Sequence, residues 1–291
     1  MINKCLFPAA GYGTRFLPAT KAIPKEMLPI LNKPLLQYGA EEALSAGITN
    51  MAIVTGRGKR SIEDHFDNAF ELESQLKGTI KECYLDDIKS LIEQSTFTYV
   101  RQRQMLGLGN AILTGEPLIG NEPFAVILAD DLCDCDENGV TSQLIEIYNK
   151  YQCSVIAIEE LPITQIEQYG VISGDLIDDT NNTYRVNNMI EKPNPDDLIK
   201  LVEDRVDLNK VPSYLAIIGR YILTPDIFKI LRNIKASNGD EIQITDALMT
   251  QAKQGKVVAY KFKGKRFDCG SVDGYLEAII HFAKKLGINT I

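Results

Sequence analysis

The sequence predicts an α/β protein organised on a mainly parallel sheet, and three observations carry that prediction. Cys5-Leu6-Phe7 reads as a short buried strand. A turn through Ala9-Ala10-Gly11-Tyr12-Gly13 follows it, residues 34–46 place Leu35, Leu36, Ala40, Ala43 and Leu44 at helical spacing, and Met51-Ala52-Ile53-Val54-Thr55 is β-rich. Strand, loop, helix, strand spells a βαβ unit, whose two strands lie parallel. Next, Phe124-Ala125-Val126-Ile127-Leu128-Ala129 is the most apolar run in the chain and reads as a central strand covered on both faces. Finally, β-rich pieces beyond about residue 160 alternate with polar segments, which predicts a mixed extension of the same sheet rather than a second complete domain.

The remaining elements follow in order. Gly47 stands where the first helix stops. Residues 61–95 are polar and mostly helical in pattern, with His65 read as a surface or capping residue. Phe97-Thr98-Tyr99-Val100-Arg101 is a third strand, and a second glycine turn at Gly107-Leu108-Gly109 opens a helix reaching Leu113. Residues 140–151 form an amphipathic helix and 154–159 another buried strand. Tyr169-Gly170-Val171-Ile172, Met189-Ile190-Glu191 and the run from Ser213 to Gly219 are the later β-rich pieces, with helix and loop expected over 196–210. A helix over 224–233 is expected to be capped by Thr224 with Pro225 at its first position. Residues 245–254 read as helix, 257–262 as strand, Phe267-Asp268-Cys269-Gly270 as a strand end and 273–285 as a closing helix. No internal repeat or low-complexity linker interrupts the 291 residues.

A net charge of -8 excludes broad nucleic-acid binding, which needs a basic face. The local clusters Arg57-Gly58-Lys59-Arg60 and 261–266 read as solvated loop faces, or as attractors for an anionic substrate. No run approaches the roughly 18 to 20 apolar residues that span a bilayer, and the N-terminus is broken too early by Pro8 and Gly11 to be a signal peptide. Six scattered cysteines suit reduced thiols in a cytosolic protein, and the single Cys133-x-Cys135 lacks zinc spacing.

The chemistry concentrates in the first turn. Small residues and two glycines let a ligand approach the main chain, and successive N–H groups there make an anion-binding concavity. Arg15 adds a planar charged fork and Lys25 a second cation. The combination reads as a nucleoside triphosphate held by a glycine-rich loop. It is not a P-loop, and Phe16 stands where a dinucleotide fingerprint needs its third glycine. Gln102, before the second glycine turn, can donate and accept at once, as a pyrimidine edge requires. Asp130 and Asp131 end the most buried strand, where ligands of open α/β sheets bind. Asp268 ends another apolar strand, and hard oxygen ligands beside phosphate point to Mg²⁺, shared by Asp130 and Asp268. Glu191 can accept from sugar hydroxyls, Lys192 can meet a sugar phosphate, and Gly170 can let a sugar lie against the backbone.

Taken together, Ala9–Arg15, Pro24-Lys25-Glu26-Met27-Leu28-Pro29, Arg101-Gln102 with Gly107-Leu108-Gly109, and Leu128-Ala129-Asp130-Asp131 resemble the sugar-1-phosphate nucleotidyltransferases. Tyr169-Gly170-Val171-Ile172, Glu191-Lys192-Pro193, Gly219-Arg220-Tyr221, residues 240–246 and Phe267-Asp268-Cys269-Gly270-Ser271 extend the resemblance over nearly the whole chain. Within them the chain looks like the bacterial uridylyltransferases acting on glucose 1-phosphate. The resemblance implies a three-layer α/β/α, Rossmann-like fold with a mixed, mainly parallel sheet in a single domain. Its nucleotide-binding part would cover about 1–160 and its sugar-binding part about 161–291. It implies Ala10, Gly11, Gln102 and Gly107 at the uracil, with Ala9, Glu26 and Asp131 also at substrate. Arg15 and Lys25 fall on the triphosphate, Asp130 and Asp268 on Mg²⁺, and Gly170, Glu191 and Lys192 on glucose 1-phosphate.

Two residues depart from the pattern: Asn110 stands where many relatives have His, and Ala129 where many have Pro. Ala9-Ala10-Gly11 and Phe267-Asp268-Cys269-Gly270 separate the chain from the thymidylyltransferase branch. The implied reaction is in-line attack by the sugar phosphate on the α-phosphorus of UTP, with Arg15, Lys25, Asp130 and Lys192 as the working residues. Such a reaction needs positioning and charge neutralisation but no general base. Its rivals are the same fold with dTTP or another hexose, and a non-catalytic nucleotide-sugar-binding protein. A cytoplasmic homo-oligomer, dimer or tetramer, acting on UTP and glucose 1-phosphate is expected, with neither nucleic acid nor membrane as partner.

Overall fold

The computed structural model describes residues 1–178, 182–194, 213–234 and 241–288. The helix and loop expected over 196–210, and Asp240, lie outside them. The strands in chain order are β1 Lys4–Pro8, β2 Pro29–Ile30, β3 Lys33–Pro34, β4 Asn50–Thr55, β5 Thr96–Arg101, β6 Phe124–Ile127, β7 Asp131–Asp134, β8 Ser154–Pro162, β9 Gly170–Asp178, β10 Thr183–Glu191, β11 Ser213–Leu223, β12 Val257–Lys261 and β13 Lys265–Asp268. Nine of them form one sheet in the order β5-β4-β1-β6-β11-β8-β12-β10-β9. β1 runs parallel to β4 and β6, β4 to β5, and β8 to β12. Only β10 and β11 are reversed, so seven strands of the nine point the same way. The mixed region begins at β11, as the change of texture after residue 160 predicts.

Alternation along β1 shows why the sheet carries two outer layers. Cys5 and Phe7 face a core shared with Leu36, Ala40, Val140 and Leu144, under the helices Leu35–Ser45 and Val140–Tyr151. Leu6, one residue out of phase, faces a second core with Ile112, Phe228 and Leu248. That core lies under the helices Gly107–Thr114, Asp226–Asn233 and Ile244–Ala252. Helices on both faces of a mixed sheet make three layers. A smaller core of Ile30, Leu132, Phe267 and Ala278 seats the helix Val272–Lys285 beside the two-stranded pair β13-β7.

Two local departures from the expectation have clear causes. The apolar run ends as a strand at Ile127: Leu128 N still donates to Gly219 O of β11 at 2.9 Å, and Asp131 N then folds back onto Leu128 O at 3.2 Å. The chain turns there, and Asp131 opens β7 instead of closing β6. The helix expected from Thr224 begins at Asp226, and the Thr224 hydroxyl caps no backbone N–H. It donates to Asp226 Oδ1 at 2.6 Å.

Candidate active site

A cleft of about 490 Å³ opens at the carboxyl ends of β1 and β6, beside the middle of the reversed strand β11 at Ile217, Gly219 and Tyr221, and is bordered on its far side by β9 and β10. Its near wall is the first loop. Gly13 adopts φ +68, and a Cβ there would come within 3.0 Å of Lys25 Cβ, so glycine both permits the turn and admits Lys25. Thr20 Oγ1 fixes the turn by donating to Gly13 O at 2.7 Å. Ala10 is pressed from behind by Gly56, where a Cβ would stand 2.9 Å from Ala10 O. Arg15 borders the cleft with Gly11 and donates from Nη1 to Gln168 Oε1 at 3.2 Å.

The end of the cleft beside the second glycine turn is lined by Gln102, Met105, Gly107 and Leu108. Gly107 has φ +86 and would clash with Ile242 O if it carried a side chain. Gly109 N donates to that same oxygen at 2.8 Å, so this second glycine turn is clamped to the segment before the Ile244–Ala252 helix.

The carboxylates are brought together by the β7–β13 pairing, which sets Asp268 opposite Asp131. A Cβ on Gly270 would lie 3.0 Å from Asp268 Oδ1, 3.1 Å from Asp130 Oδ2 and 2.9 Å from Arg15 Nη2. Asp130 and Asp268 therefore converge on one point although 138 residues separate them in the sequence. Lys25 Nζ donates to Asp130 Oδ2 at 2.5 Å. Burial opposes charge on both groups, but their mutual attraction prevails, raising the Lys25 pKa and lowering that of Asp130. Among the described residues no three His, Cys, Asp or Glu side chains form a metal cage. Two convergent carboxylates nevertheless fit Mg²⁺, which takes one or two carboxylates and fills its other positions with phosphate oxygens and water.

On the far side, Gly170 pairs with Glu191 across β9 and β10. A Cβ on Gly170 would stand 3.2 Å from Glu191 Oε2 and 2.9 Å from Thr245 Cγ2. Thr245 Oγ1 donates to Glu191 Oε2 at 3.2 Å. Burial raises the Glu191 pKa, against the pull of Lys192 and Thr245. Lys192 holds φ +47, a left-handed conformation that L residues adopt at a cost, and its N–H is tied to Tyr169 O at 3.0 Å.

Thus Ala10, Gly11, Arg15, Lys25, Gln102, Gly107, Asp130, Asp131, Gly170, Glu191, Lys192 and Asp268 all border one cleft. Two expected contacts do not. Ala9 is fully buried with its N–H spent on Val54 O at 2.8 Å. Glu26 is 1% exposed and turned away, accepting from Lys59 Nζ at 2.6 Å. Asp131 borders the cleft, but its oxygens are engaged by the Arg266 guanidinium and by Gly219 N at 2.6 Å.

The sequence gives several residues of the site no role of their own. Arg266, read as part of a solvated cluster, has 5% of its side chain exposed. It pairs with Asp131, reaches Glu159 at 3.5 Å and Asp268 at 3.9 Å, and lies over the Tyr169 ring at 4.7 Å. Tyr169 in turn donates its hydroxyl to Asp268 Oδ2 at 2.5 Å. Lys59, also read as solvated, is buried against Glu26, and burial drives both pKa values toward the neutral forms in spite of the ion pair. Arg220 sits behind the Asp130 turn, bidentate to Glu42 and donating to Leu128 O at 3.1 Å. The sequence marks it only within Gly219-Arg220-Tyr221, one of the pieces that carry the resemblance.

A family model described as nucleotidyl transferase matches residues 6–285. The UTP–glucose-1-phosphate uridylyltransferase of Pseudomonas aeruginosa is 60% identical over 279 residues, covering 96% of this chain and 95% of that protein. A crystal structure of apo UDP-glucose pyrophosphorylase superposes with a TM-score of 0.89 at 59% identity, covering 98% of this chain and 99% of the other. A UDP-glucose pyrophosphorylase complexed with UDP-glucose gives 0.84 at 56%, covering 98% and 100%. The likeness runs unbroken from β1 to the last helix, and the chain belongs to the nucleotidyl transferase family, in the group of the UTP–glucose-1-phosphate uridylyltransferases.

Proposed function

We propose that this protein transfers uridylyl from UTP to glucose 1-phosphate, giving UDP-glucose and pyrophosphate. The observation that carries the reading is the convergence of Arg15, Asp130 and Asp268 at Gly270, with Lys25 bound to Asp130, across one cleft from Glu191 and Lys192. The substrates come from the Pseudomonas relative's name and from the UDP-glucose-bound neighbour.

In this reading Ala10, Gly11, Gln102 and Gly107 receive the uracil. Arg15 and Lys25 neutralise the triphosphate, and Gly170, Glu191 and Lys192 hold the sugar phosphate. Asp130 and Asp268 hold Mg²⁺, which supplies charge neutralisation at the phosphates when bound. The sugar phosphate is already an anion, so a cleft with cations on both sides needs only to bring its oxygen in line with the α-phosphorus. Arg15, near the mouth, is placed to stabilise departing pyrophosphate.

The assay is pyrophosphate release with UTP and glucose 1-phosphate, run beside dTTP, CTP and other hexose 1-phosphates, with and without Mg²⁺. Turnover dominated by UTP and glucose 1-phosphate is expected. A preference for dTTP would move the chain to the thymidylyl reaction, and no turnover with any pair would leave a binding protein of the same fold.

We also propose a cytoplasmic homo-oligomer. No helix among the described residues is long and apolar enough to cross a membrane. All six cysteines are free thiols, and Val272, Leu276 and Ile280 form an exposed apolar stripe on the last helix, suited to a second copy. Sedimentation of the purified chain tests the assembly.

A further inference from the structure

One side-chain hydrogen bond at the Gln102 end of the cleft is not used by the reading above. Gln102 Nε2 donates to Asn110 Oδ1 at 2.7 Å. Gln102 is 4% exposed yet borders the cleft, and its backbone N–H is tied to Thr55 O at 2.9 Å. Asn110 stands one turn into the Gly107–Thr114 helix, whose start is clamped by Gly109 N to Ile242 O and by Ile242 N to Leu106 O, both at 2.8 Å. The Thr114 hydroxyl donates to the Asn110 carbonyl at 2.8 Å. Both backbones are thus held, and the two amides meet at a fixed separation.

A primary amide presents an acceptor and a donor that exchange places on a half-turn of its last torsion. Uracil and cytosine differ in the same sense. Uracil offers an N3–H donor beside carbonyl acceptors, whereas cytosine offers an N3 acceptor beside an amino donor. One Nε2 hydrogen of Gln102 is spent on Asn110. What remains toward the cleft is Oε1, which suits N3–H, and one N–H, which suits a neighbouring carbonyl. Turning the Gln102 amide to suit cytosine sets Oε1 against Asn110 Oδ1, acceptor against acceptor, unless Asn110 turns as well.

We infer that Asn110 is a positioning residue for nucleotide choice: by accepting from Gln102 Nε2 it holds Oε1 toward the base and favours uracil over cytosine. This rests on the reading of Gln102 as the residue that meets the base.

The test is the ratio of kcat/KM for UTP over CTP, at saturating glucose 1-phosphate, in the wild type and in Asn110→Leu, Asn110→Asp and Gln102→Leu. Asn110→Leu removes the acceptor at similar volume and is expected to lower the ratio about tenfold, mainly through KM. Asn110→Asp can only accept, so it is expected to keep the ratio at or above the wild-type value and serves also where the Leu variant folds poorly. Asn110→Leu at the wild-type ratio while Gln102→Leu loses it would overturn the role of Asn110 alone. Loss of preference in Asn110→Asp would do the same. An unchanged ratio in Gln102→Leu would overturn the base-reading role of Gln102, and the inference with it.

Discussion

Lys25 Nζ and Asp130 Oδ2 stand 2.5 Å apart, joining a turn of the first loop to a strand exit 105 residues later. Each keeps the other charged where burial alone would neutralise both. The pair therefore fixes the position of a cation and of a carboxylate at once, which is the preorganisation that phosphoryl chemistry uses. Asp130→Asn should cut turnover by about 10² to 10³-fold, the scale of losing one well-placed electrostatic group. The fold should survive, as checked by circular dichroism, and the Mg²⁺ dependence of the residual rate should change. Wild-type turnover with wild-type Mg²⁺ dependence would remove Asp130 from the metal.

Lys192→Ala should weaken glucose 1-phosphate roughly ten- to hundredfold, the worth of a charge-assisted contact of about 1.5–3 kcal/mol. UTP should be little affected. The strained backbone at Lys192 is held by Tyr169 O and survives the change. Initial rates with each substrate varied in turn decide it, and an unchanged KM for the sugar phosphate would return Lys192 to the solvent.

Gly56→Ala places a methyl 2.9 Å from Ala10 O, a main-chain atom that moves only with the whole first loop. The overpacking costs ~1–3 kcal/mol. KM for UTP should rise several-fold with KM for glucose 1-phosphate near wild type. Identical UTP kinetics would show that the loop shifts without cost to the nucleotide.

Arg266→Leu leaves Asp131 and Glu159 without their buried partner, and losing one member of a buried ion pair costs about 3–5 kcal/mol. Urea unfolding should report that loss, with Arg266→Lys recovering only part of it because one ammonium cannot span both carboxylates. Stability within about 0.5 kcal/mol of wild type would show the cluster to be dispensable.

His65 lies half-buried with Nε2 at 2.9 Å from Gln37 Oε1, and burial lowers its pKa. Below the unfolded value of about 6.5 the unfolded chain binds the proton more readily than the folded one. The His65 contribution to stability is therefore complete above that pH and declines as pH falls toward the folded pKa. His65→Gln keeps a donor for Gln37 and should flatten this decline. Equal loss of melting temperature between pH 7.5 and 5.5 in both proteins would contradict it.

The first βαβ unit was legible because its signals are local: a strand, a glycine turn, a helical period and a second strand follow one another within 55 residues. Asp130 was legible as the end of the most apolar run. What the sequence does not display is the short β7–β13 pairing that carries Asp268 to Asp130, since neither four-residue strand announces its partner. The direction of long side chains was equally hidden. Lys59 and Arg266 stand in basic clusters that look alike whether they face water or a buried carboxylate, and Glu26 stands beside Lys25 but turns to Lys59. Gln102 was marked for its chemistry, but its bond to Asn110 needed the helix start to be fixed in space.

β11 enters the sheet between β6 and β8, and its early residues Leu215 and Ala216 also pair with β9. A segment from beyond residue 160 thus forms a central rib among the strands that precede it. The two halves are consequently not interchangeable cassettes. A chimera joined near residue 160 exchanges a strand in the middle of the sheet along with the wall that carries Gly170, Glu191 and Thr245, so under the proposed function an altered sugar preference is expected to transplant by changing residues on that wall rather than by swapping a fragment.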